Sequence, residues 1–206
     1  MSLDSFANLK TAIENHLGRD DLTDAAPNNY AEEFIVLAES RHKRDVRIKE
    51  MITRTSITVN ARQVALPTGH LQTINLRLLT TPVTILRYVE LHEMNRRRQE
   101  TSGKPQYFTE NNEYEFDVTP DQSYSGEVIY YQSQTALSDS NTSNDILTRL
   151  PDAYLYGALL ASAPFLLDDS RISVWTALYG DAVTGANRMD QKKSGPLVAS
   201  VYGATP

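Results

Sequence analysis

The sequence predicts an α+β protein in which N- and C-terminal helices form a helical bundle with an inserted antiparallel β module. Apolar residues recur at helical spacing near both ends of the chain, and between them the pattern changes to short alternating runs rich in β-branched residues. We assign the N-terminal helices to residues 1–50, the β module to 51–135, the C-terminal helical hairpin to 136–193 and an extended tail to 194–206.

Composition limits the class of protein further. The chain has 206 residues, 40% of them hydrophobic, which is enough to bury an ordinary core. Because it has no cysteine, disulfide scaffolds, thiolate metal sites and a cysteine nucleophile are excluded. We expect neither a membrane span nor a signal peptide, because no run of about 18 apolar residues occurs and the N-terminus lacks a cationic region.

Two helices are predicted at the start of the chain. Residues 3–17 carry one apolar face, formed by Phe6, Leu9, Ile13 and Leu17. Ser2 is the predicted N-cap of this helix, and Gly18 stands where a left-handed C-terminal residue belongs. The second helix begins after Pro27, and its predicted face comprises Tyr30, Phe34, Leu37, Arg41 and Val46.

Charge is unevenly distributed over these helices. Residues 1–40 contain eight acidic residues and two basic ones, whereas residues 41–54 contain six basic residues and two acidic ones. Acidic residues early and basic residues late in the second helix suit its dipole. The two segments are candidates for opposite, complementary faces of one molecule.

The middle of the chain predicts short strands. The runs TSITVN, RQVALP, HLQTINLRL, TPVTILRYV and SGEVIYYQS are rich in β-branched residues and are separated by Pro67, Gly69 and Pro82. A brief helix is predicted over residues 89–99. The run YFTENNEYEFDV alternates on both sides of Asn111 and Asn112, which predicts a β-hairpin.

The C-terminal hairpin combines two kinds of packing surface. Ala153, Gly157 and Ala161 form a ridge of small side chains, beside a second ridge of Leu155, Leu159 and Leu166. Pro164 should kink or end this helix, and Asp168 and Asp169 should cap the next one. The apolar seam predicted for that last helix is Ile172, Trp175, Tyr179, Ala182, Ala186 and Met189.

Reactive chemistry is not indicated. The four histidines are scattered without metal-ligand spacing, and phosphate-binding glycine loops and the GxSxG nucleophile pattern are absent from the sequence. We therefore predict no enzyme activity, no cofactor and no metal. The basic runs RHKRDVRIK and Arg96–Arg98 are more typical of solvated or ion-paired surface than of phosphate contacts, and the net charge of -6 argues against a free-standing nucleic-acid binder.

The chain resembles a known family along nearly its whole length. The ending NDILTRLPDAYLYGALLASAPFLLDDSRISVWTALYGDAVTGANRMD resembles the C-terminal helical pair of head-to-tail adaptor (connector) proteins of tailed bacteriophages, of the short-tailed phage type. The stretches FANLKTAIENHLGRDDLTDAAP, FIVLAESRHKRDVRIKEM, VALPTGHLQTINLRL and GKPQYFTENNEYEFDVTP fit in the same order. The most characteristic positions are Leu150, Pro151, Asp152, Leu155, Tyr156, Gly157, Leu159, Leu160, Ala163, Pro164, Asp168 and Trp175.

The resemblance implies a structural virion protein without enzymatic activity. Such adaptors form a twelvefold homo-oligomeric ring beneath the portal protein, extend the DNA channel and provide the attachment platform for a tail or nozzle protein. Genomic DNA would pass through without specific binding. The implied location is the virion neck, after assembly in the host cytoplasm. Family adaptors dock C-terminal segments onto the portal, for which Gly195–Pro206 is the candidate here.

A ring subunit needs surfaces for its neighbours. The interface candidates chosen from the sequence are Arg41, Arg44, Arg47, Gly157, Ala161, Trp175, Tyr179, Leu197, Val198, Val201 and Tyr202. Their basic, small or amphipathic aromatic side chains suit contact surfaces.

Three alternatives stay open. One is another neck component, a stopper or tail-closing ring protein. A second is a tail-associated glycan-binding or hydrolytic protein, which would need an acidic pair from Glu113, Glu115 and Asp117. The third is a DNA-packaging or regulatory protein, an interpretation that is supported by the basic runs alone.

Overall fold

The computed structural model describes residues 2–22, 29–166 and 170–191 and has two units. The helical unit comprises Met1–Lys49 and Ala136–Pro206, and the β unit comprises Glu50–Thr135. Helices and mainly antiparallel sheets together confirm the predicted α+β class. The tail over 194–206 and the capping residues Asp168 and Asp169 lie outside the described residues.

Helix α1, Phe6–Leu17, buries the predicted apolar face of Phe6, Leu9, Ile13 and Leu17. Its N-cap is Ser5 and not Ser2, because the Ser5 side chain accepts a hydrogen bond from the Asn8 amide at 3.3 Å. Gly18 ends the helix at φ 68°, in the left-handed region that glycine enters at no steric cost. Its amide donates to the carbonyl of Glu14.

Helix α2, Tyr30–Asp45, has Glu32 and Glu33 in its first turn and basic residues in its last turn, as its dipole favours. Its buried face comprises Ala31, Phe34, Ile35, Ala38, Glu39 and His42. Leu37, which belongs to the predicted face with Phe34, is 55% exposed. The buried stripe is therefore rotated toward Ile35 and Ala38. A 3₁₀ turn at Lys49–Met51 follows the helix.

The C-terminal helices are α4 (Asp145–Arg149), α5 (Pro151–Ala161), α6 (Ala163–Leu166) and α7 (Ile172–Gln191). The Asn144 side chain caps α4 by accepting from the Leu147 amide at 2.9 Å. Pro151 occupies the first turn of α5, where its missing N–H costs nothing. Helix α5 ends at Ala161, in agreement with the expected interruption at Pro164.

Helix α5 is central to the helical unit, because it packs against α1, α2 and α7. Its buried residues lie around most of its circumference: Ala153, Tyr154, Leu155, Gly157, Ala158, Leu159 and Leu160. Such a helix needs neighbours on several sides. On α7, Trp175, Tyr179 and Ala186 are buried as predicted, but Met189 is 65% exposed, and Val183, which is not part of the predicted seam, is buried.

The β unit contains two four-stranded sheets with strand orders β1-β10-β3-β4 and β2-β8-β7-β5, and a small sheet, β6-β9. The first sheet comprises β1 (Ile52–Val59), β10 (Tyr124–Gln132), β3 (His70–Leu78) and β4 (Thr84–Ile85). The second comprises β2 (Gln63–Ala65), β8 (Glu113–Phe116), β7 (Tyr107–Glu110) and β5 (Arg87–Tyr88). The small sheet pairs β6 (Ser102–Gly103) with β9 (Thr119–Pro120), and helix α3 spans Leu91–Arg97.

Strand directions depart from the sequence prediction at two places. The hairpin is confirmed, because β7 and β8 pair antiparallel across Asn111 and Asn112. However, the β5–β7 and β6–β9 pairings are parallel, whereas an antiparallel module was expected. Both involve two-residue strands, whose direction an alternating pattern does not specify. The core of the unit includes Leu76, Leu78, Phe108, Tyr114, Phe116 and Val128.

Candidate functional site

The predicted interface residues within the described chain fall at two places in the helical unit. Arg41 and Arg44 lie on the last turns of α2, and Arg47 follows it. The others lie on two helices that pack against each other, α5 and α7: Gly157, Ala161, Trp175 and Tyr179. The remaining candidates, Leu197, Val198, Val201 and Tyr202, lie outside the described residues.

Gly157 permits a close approach of three helices. A Cβ at this position would lie 3.2 Å from Ala38 Cβ on α2, 3.4 Å from His42 Nε2 and 3.4 Å from Tyr179 Cε2 on α7. Side chains from α2 and α7 of the same chain therefore occupy the space beside Gly157. Trp175 and Tyr179 are also buried. Their role, and that of Gly157, in contacts with another subunit stays a prediction.

A buried carboxylate joins α2 to the segment that precedes α4. Glu39 Oε1 accepts hydrogen bonds from the Leu137 amide at 2.7 Å and from the Tyr154 hydroxyl at 3.2 Å. The Asn144 side-chain amide donates to the same hydroxyl at 2.7 Å. Burial raises the pKa of Glu39, although both donors favour its charged form. The sequence groups Glu39 with the acidic residues of the segment 1–40, whereas the structure places it in the core.

His42 lies beside this network and is almost fully buried. Its Nε2 is 3.3 Å from the Ala153 carbonyl, and its ring packs edge-on against Tyr154 with centroids 4.5 Å apart. Burial lowers the pKa of His42 to about 4, so the ring is neutral at pH 7. The histidine therefore acts as a packing residue with one hydrogen bond.

The end of α2 is attached to α7 by polar contacts that the sequence did not reveal. The Tyr179 hydroxyl donates to Asp45 Oδ2 at 3.1 Å, and the Asn187 side chain donates to the Asp45 carbonyl at 2.9 Å. Asn187 also accepts from the Arg47 amide at 2.9 Å. Further on, Asp190 accepts from the Lys49 amide at 2.8 Å. No local pattern indicates these pairs, because about 140 residues separate their members.

The three arginines of the basic segment differ in what they contact. The Arg41 guanidinium lies 5.4 Å from the centroid of the Tyr179 ring. Arg47 Nη1 donates to the carbonyls of Lys43 and Val46. Arg44 and Lys43 are exposed and form no ion pair with any described residue. The exposed positive charge of this surface therefore centres on Arg44 and Lys43.

The second basic run is mostly neutralised within the β unit. Arg97 Nε lies 2.8 Å from Glu93 Oε1, and its guanidinium covers the Tyr107 ring at 4.5 Å. Arg98 lies 3.8 Å from Glu115 and 3.7 Å from Glu100. Both are therefore ion-paired surface residues, as the sequence favoured. Arg96 is exposed on α3.

Of the three acidic residues proposed for a glycan-cleaving site, Glu113 and Glu115 line one surface cavity, whereas Asp117 is engaged elsewhere. Asp117 is buried, and its Oδ1 accepts from the amides of Gln106 at 3.1 Å and Tyr107 at 3.2 Å. Glu115 faces Arg98, while Glu113 is exposed. Asp117 is thus a structural acceptor that fixes the start of β7.

Other reactive groups are likewise engaged in packing. In the β unit His70 lies 2.8 Å from Thr73 Oγ1, which in turn lies 2.9 Å from the Tyr114 hydroxyl. Burial raises the pKa of Tyr114 to about 12. Within residues 2–22, 29–166 and 170–191, no three His, Asp or Glu side chains are grouped as metal ligands. Over the same ranges, none of the helices combines the length and apolar character that membrane spanning requires.

Comparison with known proteins adds one finding. A family model described as SU10 adaptor protein matches residues 4–200, which include both the helical unit and the β unit. No curated protein matches the chain.

Proposed function

The chain belongs to the SU10 adaptor protein family, a family of phage head-to-tail adaptors, and we propose that it forms a ring beneath the portal protein. The ring extends the DNA channel and provides the platform to which the tail attaches. The observation that carries this proposal is the family match over residues 4–200. Family membership implies portal and tail partners and a place in the virion neck.

A structural role without catalysis agrees with the side chains that the fold buries. The buried Glu39 carboxylate is held by two donors, and the buried Asp117 carboxylate by two backbone amides. Buried carboxylates that are held by hydrogen bonds fix the packing of helices and strands. We propose that the protein has no enzymatic activity.

A closed ring requires two different complementary surfaces on each subunit. In the helical unit, exposed Lys43 and Arg44 supply a positive surface at the end of α2. Asp20 and Glu33 are exposed acidic residues of the first segment. We propose that the basic surface of one subunit faces the acidic surface of its neighbour, with Arg41 and Arg47 at the margin of the basic surface.

This subunit contact is tested by charge reversal. Arg44→Glu should weaken ring formation at low salt, and the effect should shrink as salt screens the charges. Arg188→Glu is the matched control, because Arg188 is an exposed arginine on α7. Arg47→Glu should also weaken the ring, but it additionally removes the bonds to Lys43 O and Val46 O. Equal assembly of the Arg44 and Arg188 variants would contradict this arrangement.

The C-terminal segment is proposed to dock onto the portal. Leu197, Val198, Val201 and Tyr202 supply apolar side chains to that contact. A chain that ends at Ser194 should fold normally and lose portal binding in co-sedimentation. Retained binding would assign the portal contact to another part of the chain.

DNA is proposed to pass through the ring without specific binding. The net charge of -6 opposes strong phosphate contacts, and a channel must guide DNA without retaining it. We expect no shift of duplex DNA in a gel at physiological salt. A submicromolar affinity would contradict a passive channel.

Mass measurement tests the function as a whole. The 23.1 kDa chain is measured alone and after mixing with the portal ring of the same phage. A portal-bound ring, twelvefold as the family resemblance implies, is the expected result. Binding to a preformed adaptor ring without binding to the portal would instead identify a stopper or tail-closing protein.

A further inference from the structure

The β unit carries a cationic cavity at the β5 edge of its second sheet. This cavity of about 300 Å³ is lined by Thr84, Ile85, Arg87, Lys104, Gln106 and Tyr107. Lys104 Nζ donates to Thr80 Oγ1 at 2.9 Å, and Arg87 is exposed. Neither cation forms an ion pair with a residue that the structure describes. Two positive charges therefore line a cavity whose described lining contains no carboxylate.

Exposed apolar side chains lie on the strands at this cavity. Ile85, in its lining, is 63% exposed. Tyr88, which follows Arg87 on β5 and packs edge-on against Phe108, is 57% exposed, and Val83, which precedes β4, is also exposed. Unpaired cations next to exposed aliphatic and aromatic groups are typical of the margin of a protein contact. A nucleic-acid phosphate would need the two charges but would gain nothing from the apolar side chains.

The opposite edge of the same sheet carries the opposite charge. A cavity of about 500 Å³ at the β2–β8 edge and the hairpin turn is lined by Gln63, Asn111, Asn112, Glu113 and Glu115. Glu113 is exposed and has no ion pair with a described residue, whereas Glu115 faces Arg98 at 3.8 Å. The β unit thus presents an unpaired anion at one edge and unpaired cations at the other.

These groups cannot neutralise each other within one chain. Arg87 is paired with Tyr107 across β5 and β7, while β8 lies on the far side of β7. Glu113 is also about four residues further along the strands than Arg87. Strand spacing and rise per residue therefore place the two Cα atoms roughly 16 Å apart. Glu113 therefore cannot supply a carboxylate to the cationic cavity of its own chain.

We propose that the cationic cavity of one subunit binds Glu113 and the adjoining hairpin turn of a second copy of this chain. The contact is heterologous, so each copy uses both edges, and the copies form a ring when the rotation between neighbours closes. It rests on the proposed function, because ring assembly supplies the second copy. The charges match without any further partner: Arg87 and Lys104 on one edge, and Glu113 on the other.

Cross-linking between single-cysteine variants tests this contact, because the natural chain has no cysteine to interfere. Arg87→Cys and Glu113→Cys copies are mixed, assembled with the portal ring and treated with a short bis-maleimide. A cross-linked dimer should form in the mixture and not with either variant alone. Arg96→Cys mixed with Glu113→Cys is the matched control, because Arg96 is exposed on α3 but does not line the cavity.

Charge exchange provides a second readout. Arg87→Glu should weaken self-association about tenfold at low salt, because it places like charges in contact. Combining Arg87→Glu with Glu113→Arg in each copy should restore assembly, since the two edges are then complementary again. Failure of this double variant to recover would contradict the pairing even if both single variants assemble poorly.

The outcomes separate this contact from the ring itself. If a ring forms but the 87–113 cross-link does not, the edge contact is overturned and the proposed function stays intact. The same holds if the control pair cross-links equally. If the natural chain binds duplex DNA, Arg87→Glu abolishes that binding and no 87–113 cross-link forms, the cavity is a phosphate site and the edge contact is overturned. A chain that binds no portal and stays monomeric contradicts the proposed function and this contact together.

Discussion

The helical unit and the β unit differ in whether the side chains that suggest a contact surface are buried. In the helical unit the small and aromatic residues that suggested an interface, Gly157, Trp175 and Tyr179, are buried against neighbouring helices of the same chain. In the β unit Ile85, Tyr88 and two unpaired cations remain accessible at a sheet edge. An apolar run in a sequence therefore identifies a core as readily as a contact surface. A contact surface is better recognised by what the fold leaves exposed and unpaired.

The largest expected effect is that of filling the close approach at Gly157. Gly157→Leu should destabilise the helical unit by about 3 kcal/mol, because the added atoms meet Ala38, His42 and Tyr179 within 3.4 Å of the first carbon. Urea unfolding followed by the fluorescence of Trp175, the single tryptophan, measures this.

Gly180→Leu is the matched control, because a Cβ there has no neighbour within 4 Å and α7 is exposed at that point. It should be neutral or slightly stabilising, since glycine is a poor helix former. Similar losses in both variants would show that Gly157 does not mark a special approach of three helices.

The next effect is a dependence of helical-unit stability on pH. The pKa of His42 falls from about 6.5 in the unfolded chain to about 4 in the folded chain, so the unfolded state binds the proton first as pH falls. His42 should cost about 2 kcal/mol of stability between pH 7 and pH 5. The full stability is present above pH 6.5 and is lost toward pH 4.

Glu39 acts in the opposite direction, because its raised folded pKa makes the folded state take up a proton more readily than the unfolded state as pH falls. The charged neighbours of His42 are Asp45, which favours its protonation, and Arg41, which opposes it. His42→Phe should therefore flatten the loss on acidification, and Glu39→Gln should steepen it. Parallel pH profiles for the natural chain and His42→Phe would contradict this assignment.

A smaller effect is expected from removing one buried hydroxyl. Tyr154→Phe deletes the group that donates to Glu39 and accepts from Asn144, and should cost about 1.5 kcal/mol. Tyr130→Phe in the β unit is the control, because Tyr130 is also buried and its ring is stacked on His70. In urea unfolding followed by circular dichroism, Tyr130→Phe should lose less stability than Tyr154→Phe. Equal losses would mean that the Glu39 network adds nothing beyond ring packing.

Much of the local structure could be predicted because it depends on neighbouring residues. Helical spacing identified the buried face of α1, Gly18 identified its end, and the alternation around Asn111 and Asn112 identified a hairpin. Local spacing does not state how a helix is rotated against its partners. For that reason Leu37 and Met189 were wrongly placed on packing faces, while Val183 was missed.

The polar contacts that organise the helical unit could not be predicted in the same way. Glu39 and Leu137 are 98 residues apart, and Arg47 and Asn187 are 140 residues apart. Only the folded chain brings such groups together, so Glu39 was indistinguishable from a surface acid. The domain limits drawn at 50, 135 and 193 stay a prediction, which limited proteolysis would test through cleavage near those positions.

The smallest effect on folding is expected for Arg87→Glu, the substitution for which the largest effect on assembly is proposed. Arg87→Glu should change the free energy of unfolding of the β unit by less than about 0.5 kcal/mol, because the exposed side chain has no ionic partner in the described chain. Arg149→Glu makes the same charge change in the helical unit, 2.7 Å from the well-buried Asp190, and should be clearly destabilising. Circular dichroism in urea compares the two variants. If Arg87→Glu unfolds as readily as Arg149→Glu, the β5 edge is part of the subunit's own stability, and the contrast between the unpaired Arg87 and the ion-paired Arg149 fails.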